Sequence, residues 1–258
     1  MATVLLPVLT LCGRELVRFF RQRSRVIGAV VQPLMFWGLV GAGFRASFQP
    51  PGVPAGTSYA AYAYPGILAM VLLFAAIFST ISVVDDRRQG FLQGVLVAPV
   101  PRGSIVLGQA LGCTALAVLQ GILFVFLGPA VGVPLTIASA LAVTGVLVLM
   151  AFGLSSLGLA IAWRLDTTQG FHAIMNLVLL PMWVLSGAFF PAVGAPLWLG
   201  WIMHLNPMTY GLAAIRRTLY LAAPGAAGPV PDLALSLGVT IVFGAMAFAA
   251  ALVVARKR

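Results

Sequence analysis

The chain has 258 residues, of which 61% are hydrophobic and only 8% are charged, and its mean hydropathy is +1.07. An ordinary soluble domain carries roughly 25% charged residues, because its surface must be polar. The composition therefore excludes a soluble globular protein and predicts a chain that lies largely in lipid.

The formal charge of +10 is carried by cations that stand in short clusters between long apolar runs. A nucleic-acid surface would instead interleave basic, polar and aromatic residues on a face exposed to water. Clusters between apolar runs are typical of the positive-inside rule. The charge therefore predicts the orientation of the chain in a membrane, and no nucleic-acid partner.

The first 25 residues have the pattern of an amphipathic helix. Arg14, Arg18, Arg21 and Arg25 recur at helical spacing on one face, and apolar residues occupy the opposite face. We predict a cytoplasmic interfacial helix over residues 1–25, with its arginines directed to lipid headgroups or water. This helix is expected to be either a simple anchor or a contact for a partner protein.

Six apolar stretches follow, each about as long as a helix that crosses a bilayer. They cover residues 26–44, 66–84, 105–128, 135–163, 171–190 and 233–255. None shows the alternating polarity of a membrane β-strand, which favours helices. The sequence predicts an all-α integral membrane fold with a transmembrane domain over residues 26–258.

The distribution of cations predicts how these spans are oriented. With the N-terminus in the cytoplasm, every Lys and Arg except Arg45, Arg216 and Arg217 lies on the cytoplasmic side. The reverse orientation would place most of the cations outside, against the positive-inside rule. We therefore expect both termini to be cytoplasmic.

The stretch between the fifth and sixth spans contains an apolar run, residues 197–205, that is too short to cross a membrane as a helix. We predict an outer re-entrant hairpin here, in which Asn206 caps a second short helix that starts at Pro207. The residues assigned to this hairpin are Pro191, Pro196, Trp198, Asn206, Pro207 and Tyr210.

Residues that would carry chemistry are scarce in this sequence. It has no Gly-rich phosphate loop followed by Lys and Ser or Thr, so we expect no ATP site on this chain. His172 and His204 stand far apart without other ligands at metal-binding spacing, so we predict no metal, no other cofactor and no catalytic residue. The acidic residues fall in loops or at helix ends, whereas an ion-coupled carrier usually holds an ionisable group within a span. The energy for transport is therefore expected to come from another subunit.

Two segments carry a resemblance to a known family. They are residues 85–102, DDRRQGFLQGVLVAPVPR, and residues 185–217, LSGAFFPAVGAPLWLGWIMHLNPMTYGLAAIRR. Both resemble type-2 ABC transporter permeases, the group that includes drug-resistance, nodulation-factor and polysaccharide export permeases. The similarity covers essentially the whole chain. It implies a dimerising membrane subunit that pairs with a second copy or a homologous permease, and with two copies of a separate ABC ATPase that binds ATP and Mg.

In this family, the loop between the second and third spans forms a coupling helix that docks into the ATPase. The resemblance implies ATPase-coupling residues in this loop and in the loop between the fourth and fifth spans. They are Asp86, Arg87, Arg88, Gln89, Gly90, Phe91, Leu92, Arg102 and Asp166. The pattern agrees, because Phe91 and Leu92 would expose apolar surface if this loop were only a solvated turn. Family members often have an acidic residue where this chain has Arg88, so we expect the ion pairs with the ATPase to differ.

The family moves its substrate between two apposed subunits, along the second and fifth spans. Candidate lining residues, chosen by span and side-chain type, are Phe74, Phe78, Asn176, Met182 and Phe189, with packing or lipid contact as the alternative for each. We predict the permease subunit of an exporter in the bacterial cytoplasmic membrane, carrying an amphipathic, lipid-like or glycan substrate. The alternative is a secondary carrier or channel that works without ATP.

Overall fold

The computed structural model describes residues 2–43, 59–91, 94, 100–190 and 195–257. These ranges contain ten α-helices and no strand. The helices are α1 (Ala2–Arg21), α2 (Arg23–Gly43), α3 (Tyr59–Ser79), α4 (Ile81–Arg88), α5 (Arg102–Val125), α6 (Ile137–Ala162), α7 (Thr168–Trp183), α8 (Leu197–Leu205), α9 (Pro207–Leu219) and α10 (Leu233–Lys257). A wider π-type turn, Val184–Ala188, extends α7.

Six helical segments are long and apolar enough to cross a membrane. They are Arg23–Gly43, Tyr59–Arg88, Arg102–Ala130, Ile137–Ala162, Thr168–Ala188 and Leu233–Arg256. The all-α class and the six spans predicted from the sequence are confirmed.

Some helices start at side chains that satisfy the free N–H groups of the first turn. At α6, the Ser139 N–H donates to Thr136 Oγ1 at 3.1 Å and the Thr136 N–H donates to Ser139 Oγ at 2.8 Å, which is a reciprocal capping box. At α9, the Met208 N–H donates to Asn206 Oδ1 at 3.0 Å, and Pro207 is the first helical residue. The predicted start of this short helix is confirmed.

Helix α3 lies at the centre of the bundle, where it contacts α2, α5, α6 and α7. Its side chains Leu68, Leu72, Leu73 and Ile77 are fully buried among these neighbours. Because lipid tails are as apolar as these side chains, close packing and not the hydrophobic effect must hold membrane helices together. Four of the other spans are therefore placed around α3, whereas the last span, α10, packs against α6.

Glycines allow the close approach of two helix pairs. Where α6 meets α10, a Cβ added at Gly153 would lie 3.2 Å from the Gly244 Cα. Where α1 crosses α5, a Cβ added at Gly108 would lie 3.1 Å from the Val8 Cα. Small residues at such crossings bring the backbones together and increase van der Waals contact.

The second span is interrupted at Thr80, between α3 and α4. The Thr80 hydroxyl donates to the Ile77 carbonyl at 2.6 Å, which is a local alternative to the helical hydrogen-bond ladder. Thr80 is buried against Gly158 of α6, where an added Cβ would lie 2.7 Å from Thr80 Oγ1. Helix α4 continues beyond this break and ends at Arg88.

Candidate coupling site

Helix α1 is joined to α4 by charged side chains. Arg14 donates to Asp86, and Arg18 Nη1 donates to Asp86 Oδ1 at 3.1 Å. Arg18 Nη2 also lies 3.5 Å from Asp85 Oδ2, and Arg14 Nη2 donates to Glu15 Oε1 at 3.1 Å. Burial lowers the pKa of the Arg14 guanidinium, but hydrogen bonds and charges from Asp86 and Glu15 outweigh it and raise the pKa above its ordinary value. We call these five residues the α1–α4 ion network.

The network corrects the expectation that the arginines of α1 face lipid headgroups or water. Arg21 is exposed, but Arg14 and Arg18 point into the protein, and Leu9 and Phe20 lie on the exposed face. Helical spacing shows which side chains share a face, but not which face meets the rest of the chain. Here the carboxylate of Asp86 on α4 determines which face turns inward, because a buried carboxylate needs a cationic partner.

Arg87 joins α4 to the loop between α6 and α7. Its Nη2 donates to the Trp163 carbonyl at 2.8 Å, and its Nη1 donates to the Leu165 carbonyl and to Asp166 Oδ1, both at 3.2 Å. The guanidinium also lies 5.6 Å from the centre of the Trp163 ring. The structure therefore brings together the two loops that the sequence analysis assigned to ATPase coupling.

Residues 88–91, which we call the α4 tip, are exposed. Gly90 has φ +76, a left-handed conformation that glycine adopts without steric cost, and it turns the chain after α4. Phe91 is 42% exposed, and the Arg14 guanidinium lies 4.0 Å from the centre of its ring. No hydrogen bond or ion pair joins Arg88 to another described residue. Leu92, also assigned to this site, lies outside the described residues.

Arg102 lies at the start of α5, and its side chain turns to the end of α10. Its Nη1 donates to the Arg256 carbonyl at 2.8 Å and to the Ala255 carbonyl at 3.4 Å. The last carbonyls of a helix have no partner within the helix and attract cations. The geometry gives Arg102 a role in joining two helices.

Sequence reasoning missed four members of the site. Arg14 and Arg18 were assigned to the interfacial helix, and Glu15 and Asp85 were placed in loops or at helix ends without a role in coupling. The spacing of Arg14 and Arg18 was a usable signal, because residues four apart on a helix lie on one face and can bind one carboxylate from two sides.

We expect Arg87→Met to destabilise the chain by about 1–3 kcal/mol, the usual range for hydrogen bonds to a charged group. The substitution keeps the unbranched side chain but removes the donors to Trp163, Leu165 and Asp166. Thermal unfolding of the purified protein measures the effect. Arg88→Met is the matched control, and an equal loss of stability in both variants would show that the contacts of Arg87 contribute nothing.

The comparison with known proteins identifies the family. Residues 7–220 match the family described as ABC-2 type transporter. The chain belongs to the ABC-2 transporter family. It is 30% identical to the putative transport permease ycf38 of Cyanophora paradoxa, over 80% of this chain and 71% of the relative. It is 27% identical to Nodulation protein J of Rhizobium leguminosarum bv. viciae, over 91% of this chain and 88% of the relative.

A third relative is the probable multidrug ABC transporter permease YbhR of Escherichia coli strain K12, which is 27% identical over 63% of this chain and 44% of that protein. Together with the six apolar spans, these matches make the chain a multi-pass membrane protein and the membrane subunit of an ABC transporter. The resemblance noted in residues 85–102 and 185–217 is confirmed.

The candidate substrate-path residues of this ABC-2 permease do not meet in the single chain. Phe74 and Phe78 stack with their ring centres 5.5 Å apart and line a cavity of about 290 Å³. Asn176 is exposed in the middle of α7, whereas Met182 near the end of α7 and Phe189 after the π-type turn are half-buried. The described chain therefore does not bring the five candidate residues together into one path.

Of the residues assigned to the outer hairpin, some form hydrogen bonds between helices and others are exposed. Asn206 Nδ2 donates to the Met182 carbonyl at 2.7 Å, and the Tyr210 hydroxyl donates to the His204 carbonyl at 3.0 Å. Pro196, which precedes α8, and Trp198 are exposed. Pro191 lies outside the described residues. The two hydrogen bonds hold α8 and α9 together and against the end of α7.

Arg216 of α9 was not assigned to any site. It is buried, its Nη2 donates to the Tyr62 carbonyl at 3.3 Å and to the Gly187 carbonyl at 3.4 Å, and its guanidinium lies 4.4 Å from the centre of the Tyr62 ring. A guanidinium can hold several carbonyls at fixed angles and pack on an aromatic face. Arg216 therefore connects α9 to α3 and to the turn after α7.

Proposed function

We propose that this chain is the membrane-spanning subunit of an exporter driven by a separate ABC ATPase. Two permease subunits, either two copies of this chain or this chain and a homologous permease, enclose the path, and two ATPase subunits bind ATP and Mg. The proposed location is the bacterial cytoplasmic membrane, with both termini in the cytoplasm and α8 and α9 as the outer hairpin.

The α4 tip is the observation that supports the proposal most. The side chains beside it are used within the chain, Asp86 by α1 and Arg87 by residues 163–166, whereas Arg88 and Phe91 are exposed. An exposed aromatic residue beside a cation that pairs with no described side chain is a common composition for a protein interface, where aromatic residues and Arg are enriched. The proposed ATPase contact is therefore the α4 tip, with Asp166 at its side.

The proposed transport mechanism uses α4 as a rigid connection. Closure of the ATPase pair on ATP displaces the α4 tip. This displacement reaches α1 through Asp86 and the α6–α7 loop through Arg87. The two permease subunits then open outward and release the cargo. A helix whose side chains are fixed by neighbours can transmit such a shift, whereas a flexible loop would absorb it.

The cargo proposed for this exporter is an amphipathic, lipid-like or glycan molecule. The supporting observation is the composition of the spans, which is apolar with a few neutral polar residues, among them Gln120 and Asn176. Relatives of this chain bear the names nodulation protein and multidrug permease. These names are consistent with such cargo.

The experiment is to purify the chain from its native membrane in mild detergent and measure ATP hydrolysis by the proteins that accompany it. We expect an ABC ATPase to copurify with the wild-type chain. Arg88→Glu is expected to weaken this association about tenfold or more, since loss of a charge-assisted contact and a new repulsion together exceed ~1.4 kcal/mol. Stability should be unchanged, because the Arg88 side chain is exposed and forms no hydrogen bond or ion pair with the described residues.

Arg21→Glu is the matched control, because Arg21 is also exposed but ends α1 and lies outside the α4 tip. Equal ATPase recovery with Arg88→Glu, Arg21→Glu and the wild type would contradict the proposed contact. Transport by the isolated chain without ATP would contradict the exporter itself and favour the secondary carrier or channel.

A further inference from the structure

A cavity of about 290 Å³ lies between α1, α2, α3 and α5. At one end its lining is charged, with Glu15, Arg18 and Arg25. Away from these charges the lining is mainly apolar, with Met70, Val71, Phe74 and Leu116. A cavity with a charged end and an apolar interior matches the shape of an amphiphile, whereas cavities that stay empty are lined by apolar groups alone.

The charges at the mouth of the cavity do not cancel. Arg18 is paired with Asp86, and Glu15 is paired with Arg14. Among the described residues, the Arg25 guanidinium forms two long hydrogen bonds, to Gln22 Oε1 at 3.3 Å and to the Phe78 carbonyl at 3.5 Å. Within the described ranges, no carboxylate lies within ion-pair distance of Arg25. A guanidinium without a counter-charge at the mouth of an apolar cavity favours an anionic ligand.

The depth of the cavity matches a hydrocarbon chain. Arg25 and Gln32 both line it, and their separation of seven positions corresponds to about 10 Å along α2. Sites for drug-sized molecules begin at about 300 Å³, so a cavity of this size admits one flexible chain in preference to a bulky ring system. Phe74 and Phe78 provide a flat apolar wall for such a chain.

We propose that this cavity binds a single-chain anionic amphiphile. Its phosphate or carboxylate is held by Arg25 beside Arg18, and its hydrocarbon chain lies along Met70, Val71 and Phe74. The site is within one subunit. The inference rests on the proposed function in one respect, because an amphiphile reaches this cavity from the bilayer in which the permease lies. Two sources share this chemistry, the transported cargo and a resident membrane lipid.

The test uses the purified full chain in vesicles of neutral phosphatidylcholine. The probe is lysophosphatidic acid with a diazirine near the end of its acyl chain, and its comparison is the same acyl chain on a trimethylammonium headgroup. After illumination, labelled peptides are mapped by mass spectrometry. We expect the anionic probe to label the region from Met70 to Phe74 about tenfold more than the cationic one, the factor that a charge-assisted hydrogen bond corresponds to.

Two variants remove the site by different means. Arg25→Gln removes the cation, with exposed Arg21→Gln as its control. Gly28→Leu fills the cavity, because Gly28 lines it and a Cβ added there meets no atom within 4 Å. Gly38→Leu is its matched control on the same helix, equally open but not part of the lining. We expect labelling of residues 70–74 to fall in Arg25→Gln and Gly28→Leu only, with unchanged unfolding temperatures.

Equal labelling by the two probes, or full labelling of a folded Gly28→Leu chain, would overturn the proposal. With the ATPase and ATP present, a fall in labelling identifies cargo and constant labelling identifies a resident lipid, and both results support the site. Equal labelling by the two probes in a chain that still couples to the ATPase would contradict the proposed cavity site and leave the proposed function intact. Failure to recover an ATPase would contradict the proposed function and leave the cavity site intact.

Discussion

A chain carrying Asp86→Asn is expected to lose about 2–3 kcal/mol of stability, below the ~3–5 kcal/mol for breaking a fully buried ion pair. The substitution leaves Arg14 and Arg18 charged but without the buried carboxylate that both of them bind. Their side chains are 28% and 23% exposed, so water compensates for part of the loss. Thermal unfolding and ATP-dependent transport are the measurements, and we expect both to be impaired.

Asp85→Asn is the control for this result. Asp85 is the neighbouring residue with the same charge, but it is 34% exposed and has one longer contact, 3.5 Å from Arg18. An exposed pair of this kind contributes about 0–1 kcal/mol. If Asp85→Asn and Asp86→Asn unfolded at the same temperature, the ion network would not be what holds α1 on α4.

The second large effect is expected at Gly66→Val. A Cβ at Gly66 would lie 2.8 Å from the Ala188 Cβ and 2.9 Å from the Ala188 carbonyl oxygen. Backbone atoms cannot move aside as a flexible side chain can, so α3 must separate from the turn after α7. Overpacking of this kind costs about 1–3 kcal/mol or more. It would also lengthen the hydrogen bond of 2.8 Å that the Trp183 indole donates to the Gly66 carbonyl.

Gly145→Val separates the steric effect from the lower helix propensity of valine. Gly145 also lies within a helix, but a Cβ added there meets no atom within 4 Å. We therefore expect Gly145→Val to unfold close to the wild-type temperature and Gly66→Val well below it. Similar unfolding temperatures for the two variants would mean that this contact relaxes without cost.

The spans were predictable because hydropathy alone identifies segments that can lie in lipid. The second span differs most from its prediction, because it starts at Tyr59 whereas the sequence indicated a start at residue 66. Tyr59, Tyr62 and Tyr64 lower the hydropathy of its first turns, yet all three are buried. The Tyr64 hydroxyl donates to carbonyls of α5, at Val125 and Phe124. A polar group satisfied by a distant helix cannot be read from the local pattern.

The same limit applies to the candidate site. Family resemblance placed Arg87 and Asp166 in one site, and the structure brings them within 3.2 Å. It did not pair Asp86 with Arg14, because these residues are 72 positions apart and no local spacing connects them. Nor did span membership bring the substrate-path residues together, since choosing spans does not tell which face of each helix turns inward.

The interruption at Thr80 has a mechanical consequence. It divides the second span into two helices that meet at one residue, α3 within the core and α4 running from the core, where Val83 and Val84 are buried, to the exposed α4 tip. Helix α4 is held to α1 by the ion pairs of Asp86 and to residues 163–166 by the hydrogen bonds of Arg87. A displacement of the α4 tip is therefore transmitted through three connections: to α3 at Thr80, to α1 through Asp86 and to residues 163–166 through Arg87. Two of these connections do not involve α3.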